Sequence, residues 1–130
     1  MNPPPSSDLI QAGLSGVITY ELLGAIAARG ATTPPKALEE LALHVAQEYS
    51  NGRLSFEEAD SIMNAAFAVA TSAGFWAAHD RSVPSMVFEV YQAFDEGEYH
   101  HPGDAPGIEP ELKYTRPLVE RFLAAHKNGA

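Results

Sequence analysis

The groups in this chain that could do chemistry are its 5 histidines and 17 carboxylates; with no cysteine there is no thiolate nucleophile, thiolate zinc site or disulfide framework. The pair His100-His101 has Glu98 and Asp104 nearby, all of them metal-ligating types. Neighbouring loop residues point apart, and no third ligand stands at helical i, i+4 spacing, so the pair reads as solvated loop histidines. His44, His79 and His126 stand alone. Gln47 to Glu58 has the span of a calcium loop, with Gly52 at its turn position and Glu58 at its end. Its leading ligand positions hold Gln47 and Tyr49, however, where calcium needs several carboxylate or amide oxygens. Asp95 and Glu96 are adjacent, which aims them apart on a helix and rules them out as an acid–base pair. No G-x-S-x-G, H-E-x-x-H or phosphate loop is present. The expectation is a protein that is not an enzyme and takes no cofactor and no metal.

What the carboxylates can do instead is attract. The 130-residue chain has a formal net charge of -9, with 17 acidic side chains against 8 Lys and Arg. Such a balance disfavours direct binding to nucleic acid, whose phosphates need cations, and favours a basic protein partner. The charge is also segregated. Between Arg81 and Lys113 there is no Lys or Arg, while Glu89, Asp95, Glu96, Glu98, Asp104, Glu109 and Glu111 all fall there. Tyr91 and Tyr99 are interleaved, and Tyr114 follows. Acids steer a basic surface and tyrosines anchor it, so Glu89, Tyr91, Asp95, Glu96, Glu98, Tyr99, Asp104, Glu109 and Glu111 are the candidate partner-binding set. The competing reading is an acidic coat that keeps the protein soluble, over tyrosines that belong to the core.

Helices must position this set. The length suits one domain, and 45% apolar residues suit a packed core. A Pro-rich leader over 1–6 precedes a helix capped by Ser6 or Ser7 and running to Arg29, with Gly30 as its stop. Gly13, Gly16 and Gly24 weaken that helix or let another backbone approach, and Val17-Ile18-Thr19-Tyr20 is the only β-like run. The stretch Leu9 to Ala28 is apolar enough to raise a membrane span, but Gln11, Glu21, three glycines and the lack of a preceding basic flank argue for a buried helix. The opening residues lack the basic region of a secretory signal, and a cytoplasmic location is expected.

The second helix is capped by Thr33, opened by Pro34-Pro35, striped by Leu38, Leu41, Ala42, Val45, Ala46 and Tyr49, and ended by Asn51-Gly52. Ser55 and Glu58 form a capping box for the third, which carries Phe56, Ala59, Ile62, Met63, Ala66, Phe67 and Ala70 on one face and ends near Gly74. Phe75 and Trp76 follow as an anchor between helices. The fourth starts at Ser82-Val83-Pro84, buries Val83, Met86, Val87, Val90, Tyr91 and Phe94, and stops at Gly97. A loop from Glu98 to Glu109 leads through a short turn at Glu109-Pro110 to a last helix from Thr115-Arg116-Pro117, with Leu118, Val119, Phe122 and Leu123 inward. From Lys127 the tail frays. The expected fold is all-α, an antiparallel bundle of about five amphipathic helices over residues 7–126.

Three short pieces of this order resemble a known family. Glu48-Tyr49-Ser50-Asn51-Gly52-Arg53-Leu54-Ser55-Phe56-Glu57-Glu58-Ala59 is similar to a Gly-x-Ile/Leu-Ser-x-x-Glu/Phe helix connection. Val90-Tyr91-Gln92-Ala93-Phe94-Asp95 resembles an aromatic helix ending in Asp, and Glu109-Pro110-Glu111-Leu112 an acidic lead into the final helix. Both patterns, like the first, belong to the colicin D type of bacterial self-protective immunity proteins, and the likeness spans residues 38–123. The N-terminal helix and the Glu98–Gly107 loop depart from it. The resemblance implies a helical bundle that blocks a tRNA-cleaving toxin by presenting acids, Asp95 and its neighbours first, where the tRNA backbone would lie. A nuclease surface that grips phosphate must be basic, so the two lines of reading agree on an antitoxin-like role. The alternative is a structural or regulatory module that forms a homodimer through apolar helix faces, the Gly-rich first helix among them.

Overall fold

A computed structural model describes residues 5–126, and among them the fold is all-α, with no strand. Seven α-helices follow in order: α1 (Pro5–Leu14), α2 (Tyr20–Arg29), α3 (Pro34–Ser50), α4 (Phe56–Ala70), α5 (Ala73–Ala78), α6 (Ser85–Asp95) and α7 (Arg116–His126). A π-helical turn, Glu111–Thr115, runs directly into α7. The expected count of about five rises to seven because two of the expected helices are each divided.

The first division falls inside the expected helix up to Arg29. Gly16 takes φ +98°, a left-handed conformation that ends α1 at little steric cost. Thr19 is then extended, and its hydroxyl accepts from the Leu22 N–H to cap α2. The β-like run is thus a link, and it tucks Ile18 into the core. The glycine-mediated close approach is real at Gly13, where a methyl group would stand 2.9 Å from Ile62 Cγ2. This lets α1 lie tightly on α4. The apolar stretch Leu9–Ala28 is therefore broken, and among the described residues no helix is long and apolar enough to cross a membrane.

The second division corrects the end of the third helix. α4 stops at Ala70, where the Thr71 hydroxyl bonds back to the Phe67 carbonyl, and Ser72 starts the short α5. Of the expected anchor pair only Phe75 is buried; Trp76 is 38% exposed. The expected leader over 1–6 lies outside the described residues except at its end. There it is corrected: Pro5 opens α1, and Ser6 is buried with its hydroxyl 2.9 Å from His44 Nδ1. The tail from Lys127 lies outside the described residues.

The stripes of the other helices are where periodicity puts them. Leu38, Leu41, Ala42, Val45, Ala46 and Tyr49 are all buried, as are Ala59, Ile62, Met63, Ala66 and Ala70 of α4 and Val87, Val90 and Phe94 of α6. Two of the three caps read from sequence are made: Thr33 accepts from the Lys36 N–H, and Ser55 and Glu58 bond reciprocally; the third is not, because Ser6 and Ser7 lie inside α1. α3 is the central element, touching α1, α2, α4, α6 and α7. The final helix starts at Arg116, as expected, and the short turn expected at Glu109-Pro110 is the π turn that leads into it. Pro117 cannot donate an amide hydrogen and its ring would crowd the preceding turn; the wider π turn, in which the Arg116 N–H bonds to the Glu111 carbonyl, leads the chain past it.

Candidate functional site

The acidic candidates collect around the C-terminal end of α6 and the segment from Glu96 to Glu111, and they divide into two groups. α6 stops because Glu96 and Gly97 turn their N–H groups back onto Gln92 and Phe94. Gly97 is required there by space: a methyl group would collide with the Thr115 hydroxyl and stand 2.9 Å from Phe56. Thr115 is fully buried and donates to the Ala93 carbonyl at 2.7 Å, which ties the π turn to α6. This junction holds the two groups on either side of it.

On one side stand Asp95 and Glu98, joined by Asp60 of α4. Asn64, one turn along from Asp60, donates to both Asp60 and Glu98 at 3.4 Å. Asp60 is pushed up to about 8, first by burial, then by Glu98 beside it and by the charge of Asp95. Asp95 is raised by burial, then by Glu98 and Glu96. Tyr91, just above on α6, is raised by burial and by the same three carboxylates. Among the described residues none of Asp60, Asp95 and Glu98 has an ion pair. The last turn of α6 also has no basic residue, although a helix C-terminus favours cations and disfavours anions. Three carboxyl groups are therefore held together without a cation, and Asp60 answers by keeping a proton up to about pH 8.

On the other side the acids are used internally. Asp104 accepts from the Lys113 ammonium and, at 2.6 Å, from the Tyr114 hydroxyl; these bonds hold its carboxyl below the usual range. Glu111 accepts from the Tyr49 hydroxyl at 2.6 Å and lies 4.0 Å from Arg116, and burial with this bond pushes the phenol well up. Glu96 accepts from Tyr99, whose hydroxyl is raised by that bond, and stands 3.3 Å from His101 Nε2. Glu89 faces His126 at 3.9 Å. The side chain of Glu109 is exposed and has no bond among the described residues.

The tyrosines divide as well. Tyr99 is 48% exposed and stacks on His101 at 4.4 Å, which stacks on Tyr114 at 3.8 Å. His101 is consequently not a solvated loop histidine: it is wedged between two rings and bonded to the Glu96 carbonyl at 2.7 Å, while His100 remains exposed. Tyr91 is half-buried, with its ring 4.1 Å from Phe67 of α4. The other histidines are likewise partnered: His44 by Ser6, His79 by Tyr20 at 3.2 Å, and His126 by Phe122 and Glu89.

No group of three or more His, Asp or Glu could hold a metal among the described residues. In the expected calcium-like span, Tyr49 is buried, Glu48 pairs with Arg53, and Glu58 is committed to its cap. Sequence reasoning missed Asp60, Asn64 and the exposed ring of Phe88. The available signal was their spacing: Asp60, Asn64 and Phe67 follow at i, i+4, i+7 along one edge of α4. Comparisons with protein-family models, curated protein sequences and solved structures return no match.

Proposed function

We propose that this chain is a non-catalytic, acidic protein-binding module that covers the basic active surface of a nuclease toxin, an immunity protein or antitoxin working in the cytoplasm on a tRNase-like partner. The helices α1, α3, α4, α6 and α7 are read as the antiparallel five-member frame that carries the surface. The single observation behind the reading is the group Asp60, Asp95 and Glu98, three carboxyl groups gathered without a cation among the described residues, with Asp95 and Glu98 at the end of α6, where anions are disfavoured. A module that spends stability in this way gains it back when Lys or Arg from a partner arrives, and the uncompensated field speeds the encounter. The same field repels nucleic acid, so the partner and not its RNA is what this surface meets.

Capture from lysate of the source cell tests this, using the native chain and a variant with Asp95→Lys and Glu98→Lys. The expected result is a basic protein that cleaves tRNA, is silenced by the native chain, and is lost by the variant and at high salt. A captured partner that is acidic, or that survives both reversal and salt, overturns the proposal. A second reading, homodimerisation through apolar helix faces, has one observation in its favour. Val17, 63% exposed, lines a hollow of about 350 Å³ with Ile18, Tyr20, Ala65, Ala68 and Val69. A concentration-independent monomer in sedimentation removes it.

A further inference from the structure

α4 and α6 pack against each other, and the edge they share carries two chemistries in sequence. On α4 the order is Asp60, Asn64, Phe67; on α6 it is Phe88, Tyr91, Asp95. Phe67 lies 4.1 Å from Tyr91 and 6.2 Å from Phe88, centroid to centroid, so the aromatic residues meet at one end. Asp60, Asp95 and Glu98 meet at the other, joined through Asn64. The two helices therefore run in opposite senses along a common ridge. Seven helical residues separate acid from aromatic on each, a distance of about 10 Å.

Neither end is explained by the fold. Phe88 is 46% exposed beside a half-buried Phe67 and Tyr91, which leaves apolar surface in water next to a ready-made aromatic floor. The acids have no cation among the described residues. An apolar site alone would accept many occupants, and an acidic site alone any cation. Their fixed separation is what selects. A helix laid on a ridge between two helices packs by the same side-chain rows that join helices within a core, and its residues i and i+7 lie about 10 Å apart on one face.

We propose that the α4–α6 ridge is the docking face for one helical segment of a basic protein, which seats an apolar side chain on Phe67, Phe88 and Tyr91 and a Lys or Arg seven residues away against Asp60, Asp95 and Glu98. This rests on the reading of the chain as an acidic protein-binding module. It adds residues outside the base-free stretch, Asp60, Asn64 and Phe67, and it gives the partner a spacing.

The test uses two synthetic, alanine-rich peptides of about 18 residues, long enough to hold a helix. One carries Leu and Arg pairs at i and i+7 on one face; the other has the same residues reordered onto opposite faces. Each is titrated into the whole nitrogen-15-labelled chain at low salt. The same-face peptide is expected to shift amides of residues 60–67 and 88–98 and to bind at least about tenfold more tightly than its isomer. Phe88→Ala, and separately Asp95→Asn with Glu98→Gln, each weaken it about tenfold, the size of one lost anchor. Shift mapping on the native chain needs no variant, so a variant that fails to fold leaves the test intact. Shifts confined to residues 99–111 or to residues 16–20 at the Val17 hollow overturn the proposal, and so does equal affinity for the two peptides or the absence of shifts. Equal, salt-sensitive binding at the acids would leave the acidic-module reading standing while removing the ridge. Silence from both peptides, together with failure to capture any basic protein, would remove both.

Discussion

Two acidic groups draw on one base-free stretch of sequence, one of them joined by Asp60 from α4, yet they do opposite things with their carboxylates. Asp104, Glu111 and Glu96 each accept hydrogen bonds from Lys113 and Tyr114, from Tyr49, or from Tyr99. Asp60, Asp95 and Glu98 face one another, with Asn64 donating to Asp60 and Glu98. The first group builds the fold and the second strains it. A carboxylate that has already found a donor has little left to offer a partner; one that raises its neighbour's proton affinity is improved by any cation that comes near. The contrast also narrows the nine candidates. Asp95 and Glu98 keep their charge available, Glu109 is exposed but isolated, and Asp104 and Glu111 serve as struts.

The comparison breaks most readily at the junction. Gly97→Ala forces a methyl group into Thr115 and Phe56, and overpacking of this kind costs about 1–3 kcal/mol. Urea unfolding measures it, and the amide spectrum should change on both sides of residue 97. An unchanged midpoint would mean that α6 and the π turn are not locked together as described.

Asp60→Asn should do the reverse and stabilise. Because the folded-state value is raised to about 8, the native chain holds a proton that the unfolded chain has released between the ordinary carboxylate range and pH 8. Stability from this site is intact in acid and falls as pH rises through that window. The substitution should therefore gain about 1–2 kcal/mol at pH 9, allowing for solvent screening, and almost nothing at pH 4. An equal gain at both pH values would remove like-charge repulsion as the cause.

Asp104→Asn tests the other region and has the opposite sign. Its carboxyl is held low by Lys113 and Tyr114, so its contribution is present above the ordinary carboxylate range and is lost as pH falls through the lowered value. The variant should unfold at lower urea than the native chain at pH 7, by a smaller margin than Asp60→Asn gains, and the two curves should converge in strong acid. The smallest effect belongs to Glu109→Gln, an exposed acid with no side-chain bond among the described residues: a change within about 0.5 kcal/mol at any pH. A larger loss would show a third kind of acid in the stretch.

Much of the helical content was legible because the rules that make it are local. Ser55 and Glu58, three residues apart, cap α4; Thr33 and Pro34 open α3; and a stripe from Leu38 to Tyr49 at helical spacing has one way to be buried. The break at Gly16 was less legible, since glycines at 13, 16 and 24 look alike in sequence. Packing distinguishes them: Gly13 makes room for Ile62, Gly16 turns the chain, and nothing crowds Gly24.

The chain's own order of residues determined that it would be helical, where most helices begin and end, and that residues 82–112 would carry acid without base, because each of these depends on neighbours within a few residues. Only the tertiary structure decided which acids are satisfied. Tyr49 reaches Glu111 across 62 residues, Asn64 reaches Glu98 across 34, and Thr115 reaches Ala93 across 22. Periodicity along one helix cannot see such partners, because the energy of a carboxylate is set by the dielectric and the charges that folding brings around it, and those come from other helices.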